Sequence, residues 1–362
     1  AYDSNVSVLV PAQAVGNRHA FHQAINGIYT MGSTALHAGW QQGAEMAKVH
    51  PLNNGVNRVI LLSDGCANMG ITDPDAIATQ CNAYADEGIT TSTYGLGRHF
   101  NELLMTEMAK SGRGNSYYGE SAEDLMDPFR EEFDLLTSLC ARNISVNIES
   151  ARGVSVKLLN RYSQPGINEW LLPDLAYGGE AWAVLRLTFD NNWPANAPGN
   201  NAFLLQSVLR YTHASAGSDT GHSARQTLDA SLALPVLSQS QFAQLAEDET
   251  VSARCKELYF ADLQEQASDA ARHGDWASVD SYLSKMDSAA SNNPWLQESL
   301  KNTRRYAKQR QRENFSKEAR YHSTRLRDRL VAPAECSVAY AASDELGIPS
   351  FLRRKPQQGK RM

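Results

Sequence analysis

Val59-Ile60-Leu61-Leu62 is an unbroken apolar run within a strand-like stretch, Arg58 to Ser63, that ends on Asp64-Gly65, and its surroundings constrain the fold more than any other feature of this 362-residue chain. Downstream, Asp73 can cap a helix and Pro74 suits its first turn. Ile77, Cys81 and Tyr84 then share one helical face, and Gly88 suits the exit. Ile89 to Tyr94 reads as a second strand. Strands that do not alternate with polar residues are buried on both faces, and strands separated by helices pair in parallel. Residues 1–138 therefore read as an α/β layer. Its further elements are a strand at Val6–Val10 closed by Pro11, a helix carrying Phe21, Ala24, Ile25 and Ile28, and a helix carrying Leu36, Trp40, Gly43 and Ala47. Asn101–Lys110 and Ser121–Ser138 supply two more helices.

The period changes near Arg142. Ile144, Val146 and Ile148 alternate with polar residues, as do Val154, Val156 and Leu158, and strands are expected at 180–189, 202–212 and 226–234. This predicts an antiparallel β-sandwich domain over 141–238, with Asn191–Asn201 an exposed loop. From 240 to 332 the pattern is all-α. Trp276, Val279, Leu283, Met286 and Ala290 follow helical steps between Gly274-Asp275 and Asn292-Asn293-Pro294. One such helix pair resembles a tetratricopeptide unit. Residues 333–362 read as a basic tail.

Charge is distributed unevenly. The chain carries 34 Lys plus Arg against 40 Asp plus Glu, a net charge of −6. From Glu298 to Met362 the balance is +9, which leaves −15 on the rest. Between Lys301 and Arg329, 11 basic residues face three acids, with Tyr306, Phe315 and Tyr321 interleaved. Such a stretch suits phosphates of nucleic acid or an anionic surface; equally, it suits docking on the chain's own acidic body. The second reading is favoured, so nucleic acid is not the expected partner. No window approaches the ~20 apolar residues that span a bilayer. Five cysteines without a Cys-x-x-Cys pair fit reduced thiols and a cytoplasmic protein.

Candidate chemistry gathers where a parallel sheet binds ligands, beyond the carboxyl ends of its strands. Asp64 ends one strand, and Thr34 in Gly32-Ser33-Thr34 stands before a helix. A hydroxyl and a carboxylate are hard donors suited to Mg²⁺, Mn²⁺ or Ca²⁺. They also suit a helix cap and a turn former. His99 is the one nearby candidate base for a metal-dependent hydrolase. Cys66 reads as a small buried thiol, and His19 and His22 as surface residues. No residue is assigned a catalytic role.

Leu61-Leu62-Ser63-Asp64-Gly65, Gly32-Ser33-Thr34, Ile89 to Gly97 and Gly112-x-Gly114-x-x-Tyr117-Tyr118 occur in the order and spacing of the von Willebrand factor type A family, which residues 1–138 resemble. The resemblance implies a Rossmann-like parallel sheet and a metal-ion-dependent adhesion site, with Thr34 and Asp64 at its second and third motif positions. It implies a non-catalytic protein-interaction or scaffold role in which a partner carboxylate completes the metal shell. The family's first motif, Asp-x-Ser-x-Ser, is not found. Asp3-Ser4-Asn5-Val6-Ser7 runs directly into the expected strand Val6–Val10, so the first strand, motif and helix are expected upstream of Ala1. With Thr34 and Asp64 alone, this chain is expected to hold a divalent ion poorly. The remaining chain resembles, more loosely, cytosolic bacterial proteins in which a β-sandwich and a helical region follow the adhesion domain. Phe315 to Tyr321 and the tail Arg354 to Lys360 carry that likeness.

Overall fold

The computed structural model describes residues 1–29, 32–52, 55–190, 201–214, 225–291 and 293–327. The loop expected at 191–201, apart from Asn201, and the tail at 333–362 with Cys336 lie outside them. The chain divides into two compact units, one of Ala1–Glu132 and one beginning at Phe133.

In the first unit, α1 (Arg18–Asn26) and α2 (Leu36–Val49) precede β1 (Asn57–Ser63), α3 (Pro74–Asp86), β2 (Ile89–Leu96), α4 (Glu102–Ser111) and β3 (Arg113–Gly119). The strands form a parallel sheet in the order β1-β2-β3, with Asn57 opposite Ile89 and Ser63 opposite Gly95. All three carboxyl ends thus reach one rim. Alternate residues of β1 feed opposite faces. Val59 lies against Gly43 of α2, whereas Ile60 packs on Tyr94, Tyr117 and Leu125. Strands β2 and β3 approach so closely that a Cβ at Gly114 would lie 2.1 Å from the Thr91 carbonyl oxygen, which requires glycine there.

At the amino end of β1, Arg58 and Glu132 form an ion pair of 2.7 Å, with 3% and 0% of their side chains exposed. The Glu132 carboxylate also accepts hydrogen bonds from Ser92 at 2.6 Å, Asn115 at 2.9 Å and Tyr117 at 2.8 Å. The Arg58 Nε donates to Thr90 Oγ1 at 2.8 Å. A buried pair is tolerable only when its remaining polar atoms are satisfied, and here strand hydroxyls and an amide do so. Burial pulls the Glu132 pKa up, but the Arg58 charge and these hydrogen bonds outweigh it, leaving the carboxyl below its usual range.

Two expectations for this unit fail. Val6–Val10 forms no strand. Instead the Ala1 backbone nitrogen donates to the Ser7 carbonyl at 2.9 Å, and the Ser7 N–H donates to the Ala1 carbonyl at the same distance. Asp3 Oδ1 accepts the Asn5 N–H at 2.8 Å, and this Asx turn folds the segment back so that the Ser7 backbone groups are used locally and only an isolated Tyr2–Val6 bridge forms. The single helix expected at Ser121–Ser138 is a 3-10 turn, Ala122–Leu125, followed by α5 (Met126–Thr137). Pro128 has no N–H to return to the Asp124 carbonyl, so the α-helical ladder cannot run through that position.

The second unit contains β4 (Leu139–Ser150), β5 (Val154–Leu158), β6 (Ser163–Gly166), β7 (Glu169–Leu171), β8 (Leu175–Ala176), β9 (Leu185–Phe189), β10 (Asn201–His213) and β11 (Arg225–Pro235). Their larger sheet is antiparallel, in the order β11-β10-β4-β7-β6 with β8 also on β4, and β5 pairs with β9 as a separate ribbon. Val146, Ile148, Leu158, Trp170 and Leu205 form one apolar core, with Val156, Leu185, Leu187 and Leu209 against it. The alternation read near Arg142 is thus the inner face of β4 and β5.

Among the described residues, five helices follow: α6 (Gln239–Phe242), α7 (Glu249–Arg272), α8 (Trp276–Ala290), α9 (Pro294–Lys308) and α10 (Arg312–Arg327). The last four pack in succession, and α10 returns to α7 around Phe260, Met286, Leu296 and Phe315. Buried serines let α7 and α10 approach. Ser323 Oγ donates to the Ala261 carbonyl at 2.8 Å, and Ser268 Oγ donates to the Ser316 carbonyl at 3.0 Å.

Candidate functional site

The loop from Gly32 to Ala35 and the turn Asp64-Gly65 meet at the carboxyl rim of the parallel sheet. A Cβ on Gly65 would lie 3.1 Å from Thr34 Oγ1, so the threonine hydroxyl rests against the turn that carries Asp64. The Thr34 hydroxyl thus lies beside Gly65, the residue after Asp64, and the Asp64 side chain is exposed at the same turn. Thr34 is not the helix cap. That position belongs to Ala35, which makes no side-chain cap hydrogen bond, and the Thr34 side chain is left facing the turn.

Three residues not singled out for this site hold it in place. Asn68 fastens the two loops: its Oδ1 accepts the Thr34 N–H at 2.7 Å, and its own N–H donates to the Thr34 carbonyl at 3.2 Å. Ser63 Oγ donates to the Gly65 carbonyl at 3.1 Å and tightens the turn. The Tyr2 hydroxyl donates to the Leu62 carbonyl at 2.8 Å. Burial, and with it the nearby Asp64 charge, raises the Tyr2 pKa against the lowering effect of a hydrogen bond with Ser63. The signal for Asn68 is present in the sequence, because an Asn four residues past a strand-end Asp is a turn residue able to tie two loops. Tyr2 leaves no such trace.

The N-terminal turn also reaches this rim. Ser4 Oγ accepts the Ser33 N–H at 2.9 Å, and the Asp3 carbonyl accepts the Ala35 N–H at 2.7 Å. The expectation that Asp3–Ser7 runs directly into a strand at Val6–Val10 is thereby corrected: the segment turns back on itself beside the Gly32–Ala35 loop.

The other candidates are located differently. His99 joins the site through its carbonyl, to which the Cys66 thiol donates at 2.7 Å. Cys66 is exposed, against the expectation of a buried thiol, because the loop after Gly65 runs along the surface. Among the described residues the buried thiol is that of Cys81, whose pKa desolvation pushes up to about 12. His19 and His22 are exposed on α1.

On the basic helices the cations meet acids of their own unit. Arg310 pairs with Asp280 at 2.9 Å, Arg320 with Asp269 at 2.7 Å, and Lys301 with Glu298 at 3.0 Å. Arg327 reaches Glu265 at 2.6 Å as well as Asp262, and Arg304 pairs with Asp287.

A metal needs more than this rim offers. Among the described residues, no group of three or more His, Cys, Asp and Glu side chains could hold an ion. Thr34 and Asp64 have the right chemistry for a hard dication, but they are only part of a shell of six or more oxygens.

Residues 1–131 match the von Willebrand factor type A domain family. They are a von Willebrand factor type A domain. YfbK of Escherichia coli (strain K12), an uncharacterized protein, is 27% identical over 149 residues, 41% of this chain and 26% of its own length. The uncharacterized protein sll0103 of Synechocystis sp. is 25% identical over 207 residues, 54% of this chain and 49% of its own. The chain thus spans at most about half the length of these two relatives. A solved von Willebrand factor type A structure from Catenulispora acidiphila shares the fold with a TM-score of 0.55 at 14% identity, over 79% of this chain and 67% of that one. Among the described residues, no helix is long and apolar enough to cross a membrane.

Proposed function

We propose that this chain is a non-catalytic interaction module that grips a protein partner at the rim formed by Thr34 and Asp64. The observation that carries the reading is the seating of the Thr34 hydroxyl on the Asp64-Gly65 turn. Von Willebrand factor type A domains commonly mediate protein interactions, which agrees with the match over residues 1–131. In this reading the Thr34 hydroxyl and the Asp64 carboxylate would hold Mg²⁺, or Mn²⁺ or Ca²⁺, only together with further oxygen donors, among them a carboxylate of the partner. When bound, the ion supplies positive charge to which that carboxylate is attracted. The chain's own residues do the positioning: Asn68 holds the Thr34 loop, and Ser63 and Gly65 set the Asp64 turn. The antiparallel sheets form a β-sandwich, and with the helical region they make up a scaffold.

Hydrolysis would need a base beside the ion, and His99 meets the site through its carbonyl. The nucleic-acid reading is weakened by the acids that engage Arg304, Arg310, Arg320 and Arg327.

The test is capture of binding partners by the full-length protein in Mg²⁺ and in chelator, beside Thr34→Ala and Asp64→Ala. Recovery that requires Mg²⁺ and falls at least about tenfold for either variant is expected, a loss of roughly 1.4 kcal/mol or more. Equal recovery in chelator, or from either variant, overturns the metal-bridged reading.

A further inference from the structure

Strand β11 is an eleven-residue edge strand, and every one of its residues is exposed. Among the described residues it pairs with β10 alone. Leu228 lies opposite Leu209, and Leu232 opposite Leu205. Directly opposed residues share a face, so Leu228, Ala230, Leu232 and Leu234 continue the layer in which Leu205 and Leu209 meet the β5–β9 ribbon. No β11 residue belongs to that core, and Leu228, Leu232 and Leu234 remain 55%, 37% and 48% exposed. Edge strands are ordinarily kept short, charged or bulged against further pairing. This one is long, and Asp229 is the sole charge in its interior.

We propose that β11 pairs antiparallel with β11 of a second copy of this chain, about a two-fold axis at Ala230, so that the two larger sheets become one. The sequence of the strand is self-complementary in that register. Leu228 falls opposite Leu232 of the other copy, Ala230 opposite Ala230, and Asp229 opposite Ser231. The two Asp229 side chains are left on the diagonal, ~7–8 Å apart, where repulsion is mild. Shifting the axis by one residue would set Asp229 against its own copy and Leu228 against Ala230. A two-fold contact uses the same patch on both copies, and this stripe satisfies that requirement with no other surface. A single strand pair with its leucines is at the small end of protein interfaces, below about 1,200 Å² in total, so the assembly is reversible and concentration-dependent.

Sedimentation of the full chain over a concentration series is expected to show a monomer–dimer equilibrium. Leu228→Lys and Leu232→Glu should each weaken it about tenfold or more, with unchanged far-UV circular dichroism because both side chains are exposed. Mixing the two variants should restore a heterodimer, since the new charges face each other. Under mild oxidation Ala230→Cys should cross-link to itself beyond the wild-type level, because opposed Cα atoms ~4.5–5.5 Å apart suit a disulfide. Thr227→Cys should not, because its counterpart lies roughly 20 Å along the strand at ~3.3 Å per residue. A chain monomeric up to about 1 mM overturns the proposal. So does association that Leu228→Lys leaves intact, or equal cross-linking at positions 227 and 230.

Discussion

Arg58 looks like an ordinary strand-edge arginine in the sequence, yet its guanidinium is almost wholly enclosed against Glu132. Removing one member of such a pair strands the other charge. Arg58→Met is therefore expected to cost about 3–5 kcal/mol in urea unfolding. The pH dependence follows from the lowered Glu132 pKa. The stability this carboxylate contributes is complete above the ordinary glutamate value, about 4.3, and is lost as pH falls through its lower native value. Unfolding monitored by circular dichroism should thus show an acid limb below about pH 4 that Glu132→Gln flattens. At the rim, Gly65→Ala should push Thr34 aside, because the added carbon meets Oγ1 at 3.1 Å. Its expected signature is changed amide shifts at Thr34 and Asn68 in NMR spectra, with little change in melting temperature. The places of Thr34 and Asp64 were legible because both stand at element ends, before α2 and after β1. Tyr2 was not, since its contact to Leu62 spans the turn of another segment.

Helix boundaries were the most readable elements, because capping is local chemistry. Asp73 Oδ2 accepts the Ala76 N–H at 3.0 Å, Asp275 Oδ1 accepts the Ser278 N–H at 3.1 Å, and Asn293 Oδ1 accepts the Trp295 N–H at 3.0 Å. Asn293→Ala is expected to destabilise by about 1 kcal/mol, read from thermal melts. Strands with an apolar period were equally plain. Val6–Val10 failed because β-branched content reports only what a strand would tolerate, while the Ser7 backbone groups turn back to Ala1. β3 was not recognised as a strand, since Gly112, Gly114 and Asn115 weaken its pattern. It exists because the glycine lets β2 come close.

For the whole molecule, the contrast between a basic C-terminal stretch and an acidic remainder was visible by counting, but counting did not tell whether the charges meet. They do so within the second unit, where burial raises and then Arg327 and Arg161 lower the Glu265 pKa, to a net value below the ordinary range. The full chain is accordingly expected to show no retention on duplex DNA at low salt. Retention with a steep salt dependence would show that enough cations stay available. The sequence by itself determined the succession of an α/β layer, antiparallel strands and helices, and the period and caps of many elements, since each depends on residues a few positions apart. Tertiary structure alone decided that Glu132 is an internal anion and that Asn68 and Tyr2 brace the rim. It also left β11 on the outside of its sheet. Each of these depends on groups distant in the chain meeting in space, where desolvation and hydrogen-bond geometry, rather than local preference, set the energy.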